Sequence, residues 1–406
     1  MKIYLVGGAV RDKLLNREIK DRDYVVVGAT PQQMVEKGFR PIGKDFPVFL
    51  HPKTHEEYAL ARTERKTAQG YHGFEFNTDV NVTLEDDLAR RDLTINAMAI
   101  DDESGEIIDP FNGQKDLSNR NLRHVSEAFA EDPVRILRIA RFAARYGFTV
   151  DIETNALMKK MVQNGEVDAL VSERVWQELS KSLNETTPSN FIKVLKACGA
   201  LKVLFPEFEN LFGVPQTKKW HPEIDTGIHC MMAMDQAKNL DNDTAFAVFT
   251  HDLGKGITPK EILPSHRGHE EAGIPLVEAI CNRLKVQKNH KKLALNVCRW
   301  HLHSHMAFEL RAGTIHKLFD KTGAYQQPKT FDKYLQACQA DATGRLGMLD
   351  SNYPQAEFLK GCLKAALAVD IQQLIQKGFS GEKLGDEIAQ QKIKQIKHHK
   401  SHSCVK

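Results

Sequence analysis

Long apolar runs are missing from the sequence: none of its stretches approaches the roughly 18 residues that a membrane-spanning helix needs. The opening MKIYLVGGAV also runs into Arg11-Asp12 without the small-residue pattern of a cleavable leader. Neither secretion nor membrane insertion is expected. Cysteine is sparse and scattered: the seven residues (198, 230, 281, 298, 338, 362 and 404) are odd in number and form no Cys-x-x-Cys pair. They indicate neither a zinc ribbon nor a disulfide framework and fit a reducing cytoplasm. Excess charge is lacking too. With 56 Lys and Arg against 53 Asp and Glu, the net charge of +3 is too small to argue for a nucleic-acid partner from the whole chain.

What is present is an ordinary globular composition, 41% hydrophobic and 27% charged, with apolar material for real cores. A length of 406 residues exceeds the roughly 250–300 at which single cores stop growing, and suggests two to four domains. Charge is concentrated locally. Arg283 to Lys292 (RLKVQKNHKK) has five Lys/Arg and no acid, and Gln391 to Lys406 has five Lys and no acid. Each reads either as a polyanion contact or as a solvated helix face and a frayed tail.

Up to about residue 125, short β-rich runs (KIYLV, DYVVVG, PVFLH, EYALAR, INAMAI, EIIDP) alternate with Gly and Pro, and beyond it the pattern turns helical. The expected class is α+β. Segments are expected at 1–125, 126–215 (ending among Pro206, Pro215 and Pro222), 216–345 and 346–406.

In VGGAVRD, a strand, a Gly-Gly turn and a helix start follow one another. Such a turn aims free N–H groups and the positive end of a helix dipole at an anion, and Arg11 adds a forked donor one turn later. In the next strand Asp21 and Asp23, two apart, are expected on one face with Arg22 turned away. Paired carboxylates repel unless a cation sits between them, and carboxylate oxygens suit Mg²⁺. Glu57, ahead of EYALAR, is a candidate third carboxylate. Far downstream, in EDPVRILRIARFAARY, Asp132 can cap a helix that begins at Pro133. Arg135, Arg138, Arg141 and Arg145 fall within an arc of roughly 120° on that helix. The other positions are mostly apolar, so a buried helix carries a row of cations that needs either anions or structural ion pairs.

LVGGAVRD, DRD, RRDLTINAMA (Arg90–Ala99) and EDPVRILRIARF (Glu131–Phe142) together resemble the nucleotidyltransferase head of the polymerase-β superfamily. Within it they resemble the class II tRNA nucleotidyltransferases and bacterial poly(A) polymerases, almost continuously over residues 1–150. The resemblance implies a head of small mixed sheet plus helices, followed by all-α neck, body, HD and tail regions. It implies template-independent addition of CCA to tRNA 3′ ends from CTP and ATP, with release of pyrophosphate. Asp21 and Asp23 match catalytic Mg²⁺ ligands; Gly8, Arg11, Arg91, Arg138 and Arg141 match nucleotide ligands; Asp132 and Arg135 match the base-reading pair. An acceptor beside a donor suits the amine and ring nitrogen that cytosine and adenine share. The implied partners are CTP, ATP and the acceptor and T arms of tRNA; monomer and homodimer both stay open. A poly(A) polymerase with the same head is the nearest alternative, and a non-catalytic tRNA-binding protein the remotest.

The second half holds His229 and the pair His251-Asp252 in HDLGKG, which resembles the HD phosphohydrolase domain, with Asp341 in QADATGR matching its final aspartate. The resemblance implies a metal-dependent phosphatase, 2′,3′-cyclic phosphodiesterase or 2′-nucleotidase, for which Ni²⁺, Mn²⁺ or Co²⁺ suits the His/Asp set. On an alternative reading this is the main activity and the head is degenerate. One departure stands out: Leu302 follows His301 where relatives carry Asp, leaving His303 or His305 as substitutes.

Overall fold

The computed structural model describes residues 1–42, 48–66 and 74–403, so Pro47 of PVFLH and Cys404 to Lys406 of the tail lie outside it. The described chain divides into two compact units, Met1–Val175 with Lys193–Val203, and Trp176–Ile192 with Leu204–Lys406. Segment 126–215 contributes to both.

The first unit is built on β1 (Lys2–Val6), β2 (Asp23–Val27), β3 (Arg40–Pro41), β4 (Val48–Leu50), β5 (Glu57–Leu60), β6 (Thr63–Lys66), β7 (Phe74–Asn77), β8 (Ala99–Asp101) and β9 (Ile107–Ile108). Seven of them form one mixed sheet in the order β3-β4-β5-β2-β1-β8-β9, and β6 pairs with β7. The apolar runs of β1 and β2 take the centre because both of their faces are covered. Tyr4, Val6, Val25, Ala97 and Ala99 pack in one buried cluster with Val82 and Leu88. β2 runs antiparallel to β1 and parallel to β5. The register places Val6 opposite Asp23 and Asp23 opposite Glu57. The stacked rings of Tyr24 and Tyr58, with centroids 4.4 Å apart, occupy the next registered pair.

Helices α1 (Gly8–Leu14), α2 (Pro31–Glu36), α3 (Leu84–Ala89), α4 (Gly113–Ser118) and α5 (Val134–Tyr146) complete this part of the unit. Three sequence expectations change. β2 begins at Asp23, so Asp21 precedes the strand instead of sharing its face two residues away. INAMAI is strand only at its end, because Thr94–Asn96 forms a 3₁₀ turn. The polar strands β3 and β6 lack the apolar alternation that marks a strand in sequence, and β7 (FEFN) is too short to be read from its alternation.

The second unit is helical among its described residues. Its centre is formed by the helices Thr226–Gln236, Asn242–Thr250, His269–Arg283, Lys288–His305 and Pro328–Thr343. Phe246 and Phe249 are fully buried. Asp225 caps the first of these helices by accepting from the Ile228 N–H at 2.9 Å. The basic tail is a packed helix, Gly381–Ser403, and not a frayed end. Lys400 donates to the Leu310 carbonyl at 2.6 Å, and the Lys392 ammonium lies 3.8 Å from the Tyr325 ring centre. In the other basic patch, Arg283 forks onto Glu207 at 2.7 and 2.8 Å, so its charge is already matched. No helix among the described residues is long and apolar enough to cross a membrane.

Two candidate active sites, one in each unit

The first site lies at the end of the sheet where Val6, Asp23 and Glu57 stand side by side. β1 turns into α1 through Gly7, whose φ of 69° and ψ of −127° fall in backbone space that a side chain strongly disfavours. A Cβ there would also lie 2.8 Å from Nη1 of Arg91, so the turn and this guanidinium are in close approach. Gly7 is thus the turn residue, and Gly8, the expected nucleotide ligand, opens α1. Arg91 is steered by Asp87, which accepts from its Nη2 at 3.1 Å, and its Nε is buried with no hydrogen-bond partner. Asp23 feels both neighbours. Burial raises its pKa, Arg91 opposes this, and the nearby Asp21 raises it again. Asp21, Asp23 and Glu57 are all exposed. A cation among these carboxylates relieves the repulsion that Asp21 imposes on Asp23, and hard carboxylate oxygens fit Mg²⁺.

The arginine helix is connected to this turn by a polar chain. Arg11 is 4% exposed, forks onto Asp12 with two bonds of 3.1 Å, and donates Nη1 to the Asn96 amide oxygen. Asn96 in turn donates to Asp92 at 2.9 Å, and Arg138 of α5 donates its Nε to the same carboxylate at 2.7 Å. Burial pushes the Asp92 carboxyl up, but the Arg138 guanidinium and the bonds from Asn96 and Arg138 bring it down to about 2. Asp132 has extended backbone and accepts the Val134 N–H at 3.0 Å, while α5 begins one residue later than expected, at Val134 with Pro133 in the cap position. Arg135 is anchored by the carbonyls of Ala128 (2.9 Å) and Arg90 (2.7 Å), while Arg141 lies over Phe142. The row meets the ion-pair expectation at two positions: Arg138 and Arg145 reach the structural carboxylates Asp92 and Asp12, and the half-buried positions 135, 138 and 141 share one helix face.

In the second unit, His229, His251, Asp252 and Asp341 come together although 112 residues separate the first from the last. His229 Nε2 lies 3.1 Å from Asp341 and 3.8 Å from Asp252, and His251 Nε2 lies 3.2 Å from Asp252 and 3.7 Å from Asp341. Two residues that the motif reading did not assign join them: His269 and His301 point Nε2 at Asp252 Oδ1 from 3.3 and 3.5 Å. The rings of His251, His269 and His301 each donate Nδ1–H to a backbone carbonyl at 2.7–2.9 Å. That bond fixes the tautomer and turns the lone pair of Nε2 inward, as in metal-bound histidine.

Both His251 Nε2 and Asp252 Oδ1 are buried without a hydrogen-bond partner. Three groups of three ligand atoms lie within 4.8 Å of one another here, His229/His251/Asp252, Asp252/His269/His301 and, sharing His229, His221/Glu223/His229. Burial lowers the His251 pKa, but the Asp252 and Asp341 carboxylates reverse this and raise it, while burial leaves His301 well below its ordinary range. Asp252 and Asp341 lie well below the carboxylate range, because their cationic and imidazole neighbours outweigh burial. Imidazole and carboxylate of this number suit a divalent transition metal.

Leu302 is half-buried beside His301, and the ring of His301 itself enters the cluster. His305, one helical turn on, donates its Nε2–H to Asp341 at 2.7 Å, whereas His303 lies 3.8 Å from Glu270 outside the cluster. The i, i+4 spacing of His301 and His305 was the legible signal for this face. His269 carried no such signal. Glu223 was also unread: it lies 3.1 Å from Nδ1 of His229 and 3.1 Å from His221. Its pKa is lowered despite burial by these two rings.

Known proteins match this geometry in the same order. A family model described as "Poly A polymerase head domain" matches residues 3–123, and "Probable RNA and SrmB- binding site of polymerase A" matches 147–212. "HD domain" matches 226–334, stopping short of Asp341. A curated "Multifunctional CCA protein" of Thioalkalivibrio sulfidiphilus is 55% identical over 406 residues, covering 99% of both chains. The chain belongs to the multifunctional CCA protein family. A second member, from Nitrosococcus oceani, is 56% identical over 399 residues and 98% of both chains. The same fold occurs in the Thermotoga maritima CCA-adding enzyme complexed with tRNA, at 22% identity and TM-score 0.63 over 97% of this chain and 87% of that one. It also occurs in a CCA-adding enzyme with ATP, at 21% identity and TM-score 0.64 over 100% and 89%.

Proposed function

We propose that the first unit adds CCA to the 3′ end of tRNA from CTP and ATP without a nucleic-acid template. The observation that carries this reading is the row Val6, Asp23, Glu57 at one sheet end with Arg91 against the Gly7 turn. The tRNA 3′-hydroxyl attacks the α-phosphorus, the bond to the β-phosphate bridging oxygen breaks, and pyrophosphate leaves. Asp21 and Asp23 would hold Mg²⁺, which when bound offsets charge on the attacking and leaving oxygens. Arg91 and the face of Arg138 and Arg141 steady the triphosphate, with Gly8 and Arg11 shaping the turn beneath it. Asp132 and Arg135 present an acceptor and a donor to the shared edge of cytosine and adenine. The acceptor and T arms of tRNA bind through backbone charge and shape, a reading supported by the RNA-binding family match at 147–212. Six buried free cysteines support a reducing, cytoplasmic setting.

The second unit supports a separate hydrolytic reading through the partnerless His251 Nε2 and Asp252 Oδ1. His229, His251, Asp252, His269, His301 and Asp341 would hold a divalent transition metal, which when bound supplies a water nucleophile at neutral pH. The substrate is a phosphomonoester or a 2′,3′-cyclic phosphodiester.

Purified protein incubated with tRNA lacking its 3′ CCA is expected to incorporate C from CTP and a single terminal A from ATP, read on a sequencing gel. Long adenylate tails from ATP alone would overturn this in favour of a poly(A) polymerase.

A further inference from the structure

Three polar side chains flank the histidine cluster and take no part in it as ligands. Lys255 is 5% exposed and donates to Asp252 at 2.6 Å and to the Gln216 amide oxygen at 2.7 Å. Because ammonium is only a donor, Gln216 must present its oxygen to Lys255, which fixes its Nε2 as a donor. Gln216 is 3% exposed, and that Nε2 is buried with no acceptor. On the other side of the cluster, Arg345 Nη2 lies 3.6 Å from Asp341, on the oxygen that also faces His229 and His251. Its Nε is likewise buried without an acceptor. A buried donor left unpaired costs about 1–3 kcal/mol, so two of them beside one cluster favour an acceptor that arrives from outside.

Charge points to the same ligand. With neutral imidazoles, the carboxylates of Asp252 and Asp341 face the cations Lys255 and Arg345, and Glu223 adds a third carboxylate against His229. One divalent ion makes this group net positive, and Gln216 Nε2 and Arg345 Nε are unpaired hydrogen-bond donors beside it. An oxyanion satisfies both conditions.

We propose that Gln216 and Arg345, with Lys255, form an oxyanion subsite that holds the non-bridging oxygens of a phosphoryl group against the metal cluster. This rests on the hydrolytic reading of the second unit. Gln216 and Arg345 are positioning residues: they orient the phosphorus for attack by donating hydrogen bonds and transfer no proton.

The test uses the full-length chain with Asp21→Ala and Asp23→Ala, so that the first unit contributes no carboxylate pair. Ni²⁺ affinity is measured by competition with a chromophoric chelator, with and without inorganic phosphate. In this background phosphate is expected to tighten Ni²⁺ binding roughly five- to tenfold, a reciprocal coupling between ion and oxyanion. Arg345→Met and Gln216→Met should abolish that coupling, and Arg345→Lys should restore part of it. Arg345→Met should also leave phosphate-free Ni²⁺ affinity unchanged or higher, since it removes a cation beside a ligand. A fall in phosphate-free affinity with the coupling retained would mean that Arg345 only props Asp341, and would overturn the proposal. So would a parent protein whose Ni²⁺ binding ignores phosphate. Failure of the hydrolytic reading itself looks different: Ni²⁺ retention that Asp252→Ala does not change. With a chromogenic phosphomonoester and a cyclic phosphodiester as separate arms, Arg345→Met is expected to raise KM more than it lowers kcat in whichever arm the site serves.

Discussion

Asp92 sits between the Gly-Gly turn and the arginine helix, accepting from Asn96 and Arg138 while 7% exposed. Replacing it by Ala removes the acceptor of both donors, and the expected loss is about 1.5–3 kcal/mol in denaturant unfolding, the range for hydrogen bonds to charged groups. The lower half of that range is expected, because the Arg138 side chain is 39% exposed and water recovers part of its loss. The effect depends on pH in one direction. The folded-state pKa of Asp92 is depressed from 3.8 to about 2, so its contribution is present above about pH 4 and is lost as pH falls towards 2. Stability curves of the parent and Asp92→Ala should therefore converge below pH 4, and a gap constant down to pH 2 would contradict the assignment. RRDLTINAMA was legible as part of the family resemblance. The partners of its side chains were not, since Asp92 and Arg138 are 46 positions apart.

At the scale of elements, two turns decide how each site is presented. In β1–α1 the backbone at Gly7 has φ of 69° and abuts Arg91. Gly7→Ala should cost about 1–3 kcal/mol and raise KM for CTP and ATP by displacing that guanidinium, measured in the incorporation assay. In the turn after Asp252, a Cβ on Gly254 would fall inside contact range of the His269 carbonyl oxygen and 2.7 Å from the Gly273 nitrogen. Gly254→Ala must push the helix His269–Arg283 outward and with it His269. About a tenfold or greater loss of Ni²⁺ affinity is expected, read by the chelator competition; unchanged affinity would show that His269 does not serve the metal. The sequence motifs marked both turns. The close approaches that make glycine necessary come from packing between elements, which no local pattern records.

At the scale of the whole molecule, the two sites belong to two compact units and are expected to work independently. His251→Ala should abolish phosphoester hydrolysis and leave CMP and AMP incorporation within about twofold. Asp23→Ala should lower incorporation by about a hundredfold or more and leave hydrolysis intact. Parallel assays of both variants check this, and a variant that removes both activities would show that the units share one functional state. The basic tail shows what composition leaves open at this scale: it reads as a polyanion contact or a frayed end, and the packed helix, with Lys392 and Lys400 engaged by Tyr325 and the Leu310 carbonyl, removes the second reading for its described residues.

By itself the sequence determined much of what is local in this protein. That includes the strand–turn–helix at VGGAVRD, the arginine face of α5 and the His-Asp pair, though not the start of β2, which leaves Asp21 outside the strand. Each is specified by residues within a turn or two of one another, where periodicity and capping act. The tertiary structure alone decided which of these meet. It placed Glu57 beside Asp23 through a parallel strand register, brought His269 and His301 to the Asp252 carboxylate, and left Gln216 and Arg345 as buried donors beside them. Convergence of this kind is set by the packing of whole strands and helices, whose energy is spread over many apolar contacts, so the residues that meet carry no mark of it in their own surroundings.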